Sequence, residues 1–337
     1  MTATTVIAAI GAGRMGRSIA AAFALAGQRF DLIDLRRRKP EAWAALQQEC
    51  ADEMLAIFQR LQGLGLLQAA DIPLLTARIR LVGQPGAAAA LAATTVLFEA
   101  VPETLEAKRE AFAEACRHLP ADAVVASTSS TMLPGELASL VSGPGRFLNA
   151  HWLNPAYLIP LVEVAPHAGT DPVVLQRLLA MLTAAGKKPV LCSGQPGYIV
   201  PRLQVMVMNE AARMIEQGAA TAADIDTAIR YGFGPRYASM GVAEFLDFGG
   251  VDILFHASNY LSGSLRDSRY ACPPIVEKMM REGELGMKTG KGFYDWDADR
   301  ARVFQQDALE RLVHLLKLQG IEPVRPLAAM AADPVTD

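Results

Sequence analysis

The sequence predicts an α/β protein: a doubly wound, mostly parallel sheet with a helical insertion, followed by an all-α C-terminal domain. Three observations carry this reading. Short apolar or β-branched runs alternate with helix-period segments through the first half of the chain. A long helix-period stretch, Pro40–Thr76, interrupts the alternation after the second run. From Ser193-Gly194-Gln195-Pro196-Gly197 onward the texture is helical almost throughout.

The candidate strands are Thr5–Ile10, Arg29–Asp34, Ile79–Val82, Thr95–Glu99, Ala123–Ser127, Phe147–His151, Leu161–Val164 and Pro189–Cys192. Several read as continuous apolar runs, the pattern of strands covered on both faces by crossover helices. Arg14–Ala26 and Glu103–His118 are such helices. In the insertion, Trp43, Leu46, Met54, Ile57, Phe58 and Leu61 recur with helical period and predict a pair of helices. A helix over Tyr198–Gln217, stopped by Gly218, opens the helical part. Residues 1–194 are therefore expected to form the first domain and 195–298 the helical one. Residues 299–337 hold a last amphipathic helix (Val303, Leu309, Leu312, Leu315, Leu316) and a Pro/Ala-rich tail expected to fray.

At 337 residues, 51% apolar and 20% charged, the chain has the composition of a folded globular protein. A net charge of −3 gives no global attraction to nucleic acid or an anionic membrane, so neither is expected as a partner. The richest apolar stretch, Ala87–Phe98, is broken by Thr94 and Thr95 and ended by Glu99, which argues against a membrane span. The first basic residue is Arg14, so the basic opening of a signal peptide is missing. Cys50, Cys116, Cys192 and Cys272 are scattered. A reducing cytoplasm is the expectation, with neither a disulfide framework nor a metal site.

Thr5–Ile10 leads directly into Gly11-Ala12-Gly13-Arg14-Met15-Gly16, and a helix rich in small residues follows. Gly11 permits the tight turn, Gly13 lets backbone approach a pyrophosphate, and Gly16 allows close helix–strand packing. The helix N-terminus favours the phosphate charge. Asp34 ends the next strand 18 residues after Gly16, where an acid can bind the ribose hydroxyls of NAD. This is a Rossmann-like unit. Arg36, Arg37, Arg38 and Lys39 follow at once, either as a solvated loop or as receivers of the 2′-phosphate of NADP; NAD is the expected cofactor.

A second cluster is His151-Trp152-Leu153-Asn154-Pro155 with Glu163 twelve residues beyond His151. The intervening proline-containing turn can bring the two together. Oxidising an alcohol needs a base for the hydroxyl proton, and a histidine steadied by a carboxylate suits that task. On spacing alone, a satisfied structural histidine is an equal reading.

The chain resembles the 3-hydroxyacyl-CoA dehydrogenases and their relatives acting on small 3-hydroxy acids, such as gulonate and carnitine dehydrogenases. The resemblance spans about residues 5–296. It is carried by Gly11–Gly16, Glu99-Ala100-Val101-Pro102-Glu103 with Lys108, Ser127-Thr128-Ser129-Ser130, the His151–Glu163 segment, Pro196-Gly197-Tyr198-Ile199-Val200 and Gly286–Tyr294. It implies His151 as general base with Glu163 as its orienting partner. Ser129, with Ser130 as alternate, and Asn154 would hold the substrate oxygen or face the nicotinamide. Glu103, Lys108 and Lys288 would lie along the cofactor. Taken singly, Glu103 also reads as a first-turn helix acid, Lys108 as its solvated neighbour, Ser127–Ser130 as helix capping and Lys288 as part of a surface turn.

Two departures bear on the substrate, expected to be a small molecule. Pro201 stands in the Pro196–Arg202 segment where the family usually carries an asparagine whose amide serves the active site. Asn154–Pro160 looks more like the small-acid enzymes, and the insertion carries no lysine between Pro40 and Val82, only Arg60, Arg78 and Arg80. The alternatives are the same chemistry on an aromatic or cyclic alcohol, or a non-catalytic dinucleotide-binding protein. Long apolar helical faces in the C-terminal half (Leu203, Val207, Met208, Met214; Phe245, Ile253) predict a homodimer.

Overall fold

A computed structural model describes residues 5–322; the expected frayed tail falls beyond residue 322, outside the described residues. The eight strands are β1 (Ile7–Ile10), β2 (Phe30–Ile33), β3 (Ile79–Val82), β4 (Val96–Glu99), β5 (Val124–Ser127), β6 (Phe147–Trp152), β7 (Leu161–Pro166) and β8 (Lys188–Leu191). They form one sheet in the order β3-β2-β1-β4-β5-β6-β7-β8. Every neighbouring pair is parallel except β6–β7. The order reverses at β1, with β2 on one side and β4 on the other, which opens a crevice at the carboxyl end of the strands.

The crossover helices are α1 (Arg14–Leu25), α4 (Gln84–Ala93), α5 (Leu105–Cys116), α6 (Pro134–Ala138) and α7 (Pro172–Ala184). The predicted helical pair is α2 (Pro40–Gly63) with the short α3 (Asp71–Thr76). Met54, Ile57, Phe58 and Leu61 of α2 pack on Ala21 and Ala24 of α1. Arg17 of α1, itself buried, pairs with Glu53 and with Glu49 at 2.7 Å, tying the insertion to the first crossover helix. After the serine segment α6 starts only at Pro134, whose fixed φ suits a first helical position, so Ser127–Ser130 do not cap it directly.

Strand alternation splits the core across the sheet. Ile7, Ala9, Phe98, Ala150 and Trp152 join one apolar cluster with Phe23, while Ala8, Ile10, Leu97 and Val125 join the other with Phe112. Phe98 and Trp152 meet edge to face at 5.6 Å, a contact worth about 0.5–1.5 kcal/mol beyond its burial. Trp152 thereby anchors the end of β6, and alternation turns Asn149 and His151 to the opposite face.

The chain divides into two compact units, up to Met208 and from Asn209, within helix α8 (Val200–Glu216). The second unit is helical: α9 (Ala222–Ala228), α10 (Gly234–Ser239), α11 (Val242–Gly249), α12 (Val251–Leu265), α13 (Pro274–Glu282) and α14 (Ala298–Leu318). There the buried Asp247 carboxylate accepts hydrogen bonds from the Phe293 and Tyr294 amides and from Trp296 Nε1, holding the Gly286–Trp296 loop. Among the described residues no helix is long and apolar enough to cross a membrane.

Candidate active site

The first glycine turn has the geometry a dinucleotide requires. Gly11 adopts φ +103°, and a Cβ there would lie 2.5 Å from the Ala100 carbonyl oxygen. A Cβ on Gly16 would lie 2.1 Å from the Gly11 carbonyl oxygen. Nothing comes within 4 Å of a Cβ on Gly13, whose surface stays open for a pyrophosphate. The turn borders a groove of about 990 Å³ that also takes in Asp34, Arg36, Arg38, Ala100 and Val101. The residues present fit a dinucleotide. Arg14 is exposed and Met15 packs against the core; neither lines the groove.

Asp34 is buried at the end of β2, and Arg38 pairs with its carboxylate. The arginine run is therefore not simply a solvated loop: Arg38 neutralises the acid, while Arg36 and Arg37 face the groove.

At the ends of β4 and β5 lies a buried polar network. Glu99 accepts from the Lys108 ammonium at 2.8 and 3.0 Å, from Ser127 Oγ at 2.6 Å and from the Val101 amide at 2.9 Å. Lys108 also reaches Glu103 at 3.0 Å, and Glu103 accepts from Ser129 Oγ. Burial pushes the Glu103 carboxyl up, but the Ser129 hydrogen bond and the Lys108 charge together hold it below its ordinary value. Lys108 is not a solvated neighbour of Glu103: it is fully buried, because the unpaired Glu99 carboxylate would otherwise be prohibitive inside the sheet edge. Its ammonium is enclosed by the two carboxylates, and direct contact with a cofactor would need that arrangement to open. Ser129 is buried and accepts from the Met132 amide at 2.9 Å, so it caps the turn as well; Ser130 is exposed.

β6 and β7 pair antiparallel with His151 directly opposite Glu163. His151 Nδ1 lies 2.8 Å from Glu163 Oε2. A carboxylate only accepts, so Nδ1 carries the hydrogen and Nε2 is left to take a proton. The other oxygen, Oε1, accepts from the Ile199 and Val200 amides at 2.9 and 2.7 Å, at the start of α8. Fully buried, Glu163 is stabilised as an anion by those amides and by the helix N-terminus. Pro201 is the second residue of α8, where a missing N–H costs the helix nothing.

Asn154 is exposed in the turn after β6. That turn is held from beneath: Lys187 Nζ donates to the Ala156 and Ile159 carbonyls at 2.6 and 3.1 Å, and the Ala156 amide donates to Ser18 Oγ of α1 at 2.9 Å. Burial lowers the Lys187 pKa from its ordinary value. Lys288 lies in the second unit, paired with Asp252 at 2.5 Å. Sequence reasoning assigned no role to Lys187, Ser18, Asn149 or the Tyr198 side chain. A lysine just before a strand and a tyrosine after glycine carry little signal alone, whereas Glu99, an acid ending a buried strand, does.

Along one edge of the sheet, then, lie the glycine turn, the Glu99 network and the His151–Glu163 pair, at the carboxyl ends of β1, β4, β5 and β6. Such an arrangement defines a dinucleotide-dependent oxidoreductase. A family model described as 3-hydroxyacyl-CoA dehydrogenase, NAD binding domain, matches residues 6–195, and one described as 3-hydroxyacyl-CoA dehydrogenase, C-terminal domain, matches residues 197–296. The chain belongs to the NAD-dependent 3-hydroxyacyl-CoA dehydrogenase family. It is 30% identical over 295 residues to 3-hydroxybutyryl-CoA dehydrogenase of Bradyrhizobium diazoefficiens, covering 86% of this chain and 94% of that protein. It is 28% identical over 320 residues to 5-formyl-3-hydroxy-2-methylpyridine 4-carboxylate 5-dehydrogenase of Mesorhizobium japonicum, covering 94% and 99%. Among solved structures, 3-hydroxyacyl-CoA dehydrogenase of Archaeoglobus fulgidus superposes with a TM-score of 0.74 at 29% identity, over 95% of this chain and 100% of that one.

Proposed function

We propose that this family member oxidises the C3 hydroxyl of a 3-hydroxy acid, free or as its CoA thioester, to the ketone, reversibly. The observation that carries the reading is His151 at the end of β6 with Nδ1 held by the buried Glu163 carboxylate. NAD, when bound, supplies the hydride acceptor. His151 Nε2 takes the hydroxyl proton as the C–H bond breaks, and Glu163 stabilises the imidazolium that results. Glu163 is in turn kept in place by the first amides of α8. Ser129 and Asn154 orient the substrate oxygen. Gly11, Gly13, Gly16 and Asp34 hold the cofactor, Arg14 and Met15 through the amides of the first turn of α1, and Glu103, with Lys108 behind it, lies on the cofactor side.

Of the three cations between Pro40 and Val82, Arg80 pairs with Asp31 and Arg78 donates to the Gly27 carbonyl, which leaves Arg60 for a CoA nucleotide. That favours the free acid over the thioester; with CoA, the setting would be fatty acid metabolism. A second reading, an aromatic or cyclic alcohol, draws support from the nearly full-length similarity to the pyridine-carboxylate dehydrogenase. NADH formation across 3-hydroxybutyryl-CoA, free 3-hydroxy acids and aromatic alcohols tests both. Turnover of a 3-hydroxy compound supports the first reading and turnover of aromatic alcohols alone the second. NAD binding without turnover of any of them overturns both in favour of a non-catalytic binding protein.

We further propose a cytoplasmic homodimer. The four cysteines are free. No side chain of α8 is buried, and Leu203, Met206 and Met208 are exposed, as are Ile253, Tyr260 and Ile275 in the second unit. Light scattering that gives a monomer contradicts the dimer.

A further inference from the structure

The turn that joins β8 to α8 holds both sides of the dyad at once. Gly197 and Tyr198 both take positive φ, +79° and +41°, an uncommon conformation for a bulky residue. That conformation lays the Tyr198 ring against the His151 imidazole, nearly parallel at 21° with centroids 5.2 Å apart. The hydroxyl donates to the Ser129 carbonyl oxygen at 2.9 Å and accepts from Asn149 Nδ2 at 2.7 Å. The next two amides, of Ile199 and Val200, are those that hold Glu163.

We propose that Tyr198 is a positioning residue for the reaction: its ring fixes the plane of the His151 imidazole, and its hydroxyl couples that plane to the Ser129 loop. The inference rests on His151 being the base. Asn149 and His151 share one face of β6, so the ring and the hydroxyl contact the same strand two residues apart. The Tyr198 ring meets the face of the imidazole and Glu163 its Nδ1 edge, so ring plane and in-plane orientation are set by different partners. A π face against the imidazole also favours the positive charge that arises when the proton arrives. Burial pushes the Tyr198 hydroxyl up to about 12, so it stays a protonated donor under assay conditions.

The test compares Tyr198→Leu, which removes the ring, with Tyr198→Phe, which keeps it, in the full-length protein. In NMR spectra the His151 Cε1–H resonance, assigned by its loss in His151→Ala, is shielded by the ring. It moves downfield in Tyr198→Leu and stays in place in Tyr198→Phe. Misplacement of the base costs Tyr198→Leu about 10–100-fold in kcat with NAD affinity unchanged, and the acid limb of its kcat/KM profile moves to lower pH. In Tyr198→Phe, kcat stays within about threefold of wild type with the wild-type pH profile, while KM for the hydroxy substrate rises as the Ser129 loop loses its tether. Tyr198→Met replaces the leucine variant if that one does not fold. A folded Tyr198→Leu or Tyr198→Met with wild-type kcat and an unmoved His151 resonance overturns the proposal, as does Tyr198→Phe losing as much kcat as the ring-less variant. An active His151→Ala would defeat the base assignment instead, with the resonance result standing by itself.

Discussion

The glycine-turn groove at β1 and the His151–Glu163 pair at β6–β7 occupy the same edge of one sheet, yet they are made of different material. The groove is a backbone object: a positive φ at Gly11 and two approaches too close for any Cβ position it. The pair is a side-chain object, in which His151, Glu163 and Tyr198 are each held by another buried group. The Glu99–Lys108–Glu103–Ser129 network between them is of the second kind. A backbone site tolerates changes to its surroundings and fails when a Cβ is added. A side-chain network fails when one partner is removed, because the others are left buried and unsatisfied.

The largest effect is expected in that network. Lys108→Met leaves the Glu99 carboxylate without its cation and should cost about 3–5 kcal/mol in urea denaturation. A loss below about 1 kcal/mol, the range of a surface ion pair, would mean that the network does not stabilise the fold. The groove gives the contrasting behaviour. Gly13→Ala, with open space around the added methyl, should keep wild-type stability while NAD binding weakens by on the order of tenfold or more, as calorimetry would measure. Gly16→Ala should instead lose stability, its methyl running into the Gly11 carbonyl. Equal behaviour of the two glycine variants would erase the distinction. The smallest effect is in acid. The Glu103 carboxyl is held below its ordinary value in the folded protein, so it binds fewer protons folded than unfolded. Its stabilising contribution is present above the unfolded carboxyl value of about 4.3 and is lost as the pH falls through the lower folded value. Tm should therefore fall more steeply for wild type than for Glu103→Gln between about pH 5 and about pH 3.

The same division explains what could be read from the chain alone. The strands and the glycine turn were legible because a buried parallel strand leaves a continuous apolar run and a pyrophosphate turn leaves glycine at a set spacing, whereas the order of the strands in the sheet was not. The insertion was legible from its helical period. His151 and Glu163 were legible as a pair only once the intervening turn was taken to return the chain; the antiparallel register then makes them direct partners. Tyr198 and Lys187 were not. Each works through a contact distant in sequence, a ring against His151 and an ammonium beneath the Ala156 and Ile159 carbonyls, and neither leaves a periodic trace. Lys108 was misread as solvated in one interpretation because a lysine three residues into a helix usually faces water; burial of Glu99 beside it reverses that.

The division of labour along the sheet edge is tested most directly by His151→Ala, assayed side by side for NAD affinity and turnover. With the groove and the proton site independent, NAD dissociation should match wild type while kcat falls by on the order of 10²–10⁴-fold. Retained turnover, or a loss of NAD binding that parallels the loss of rate, would contradict it.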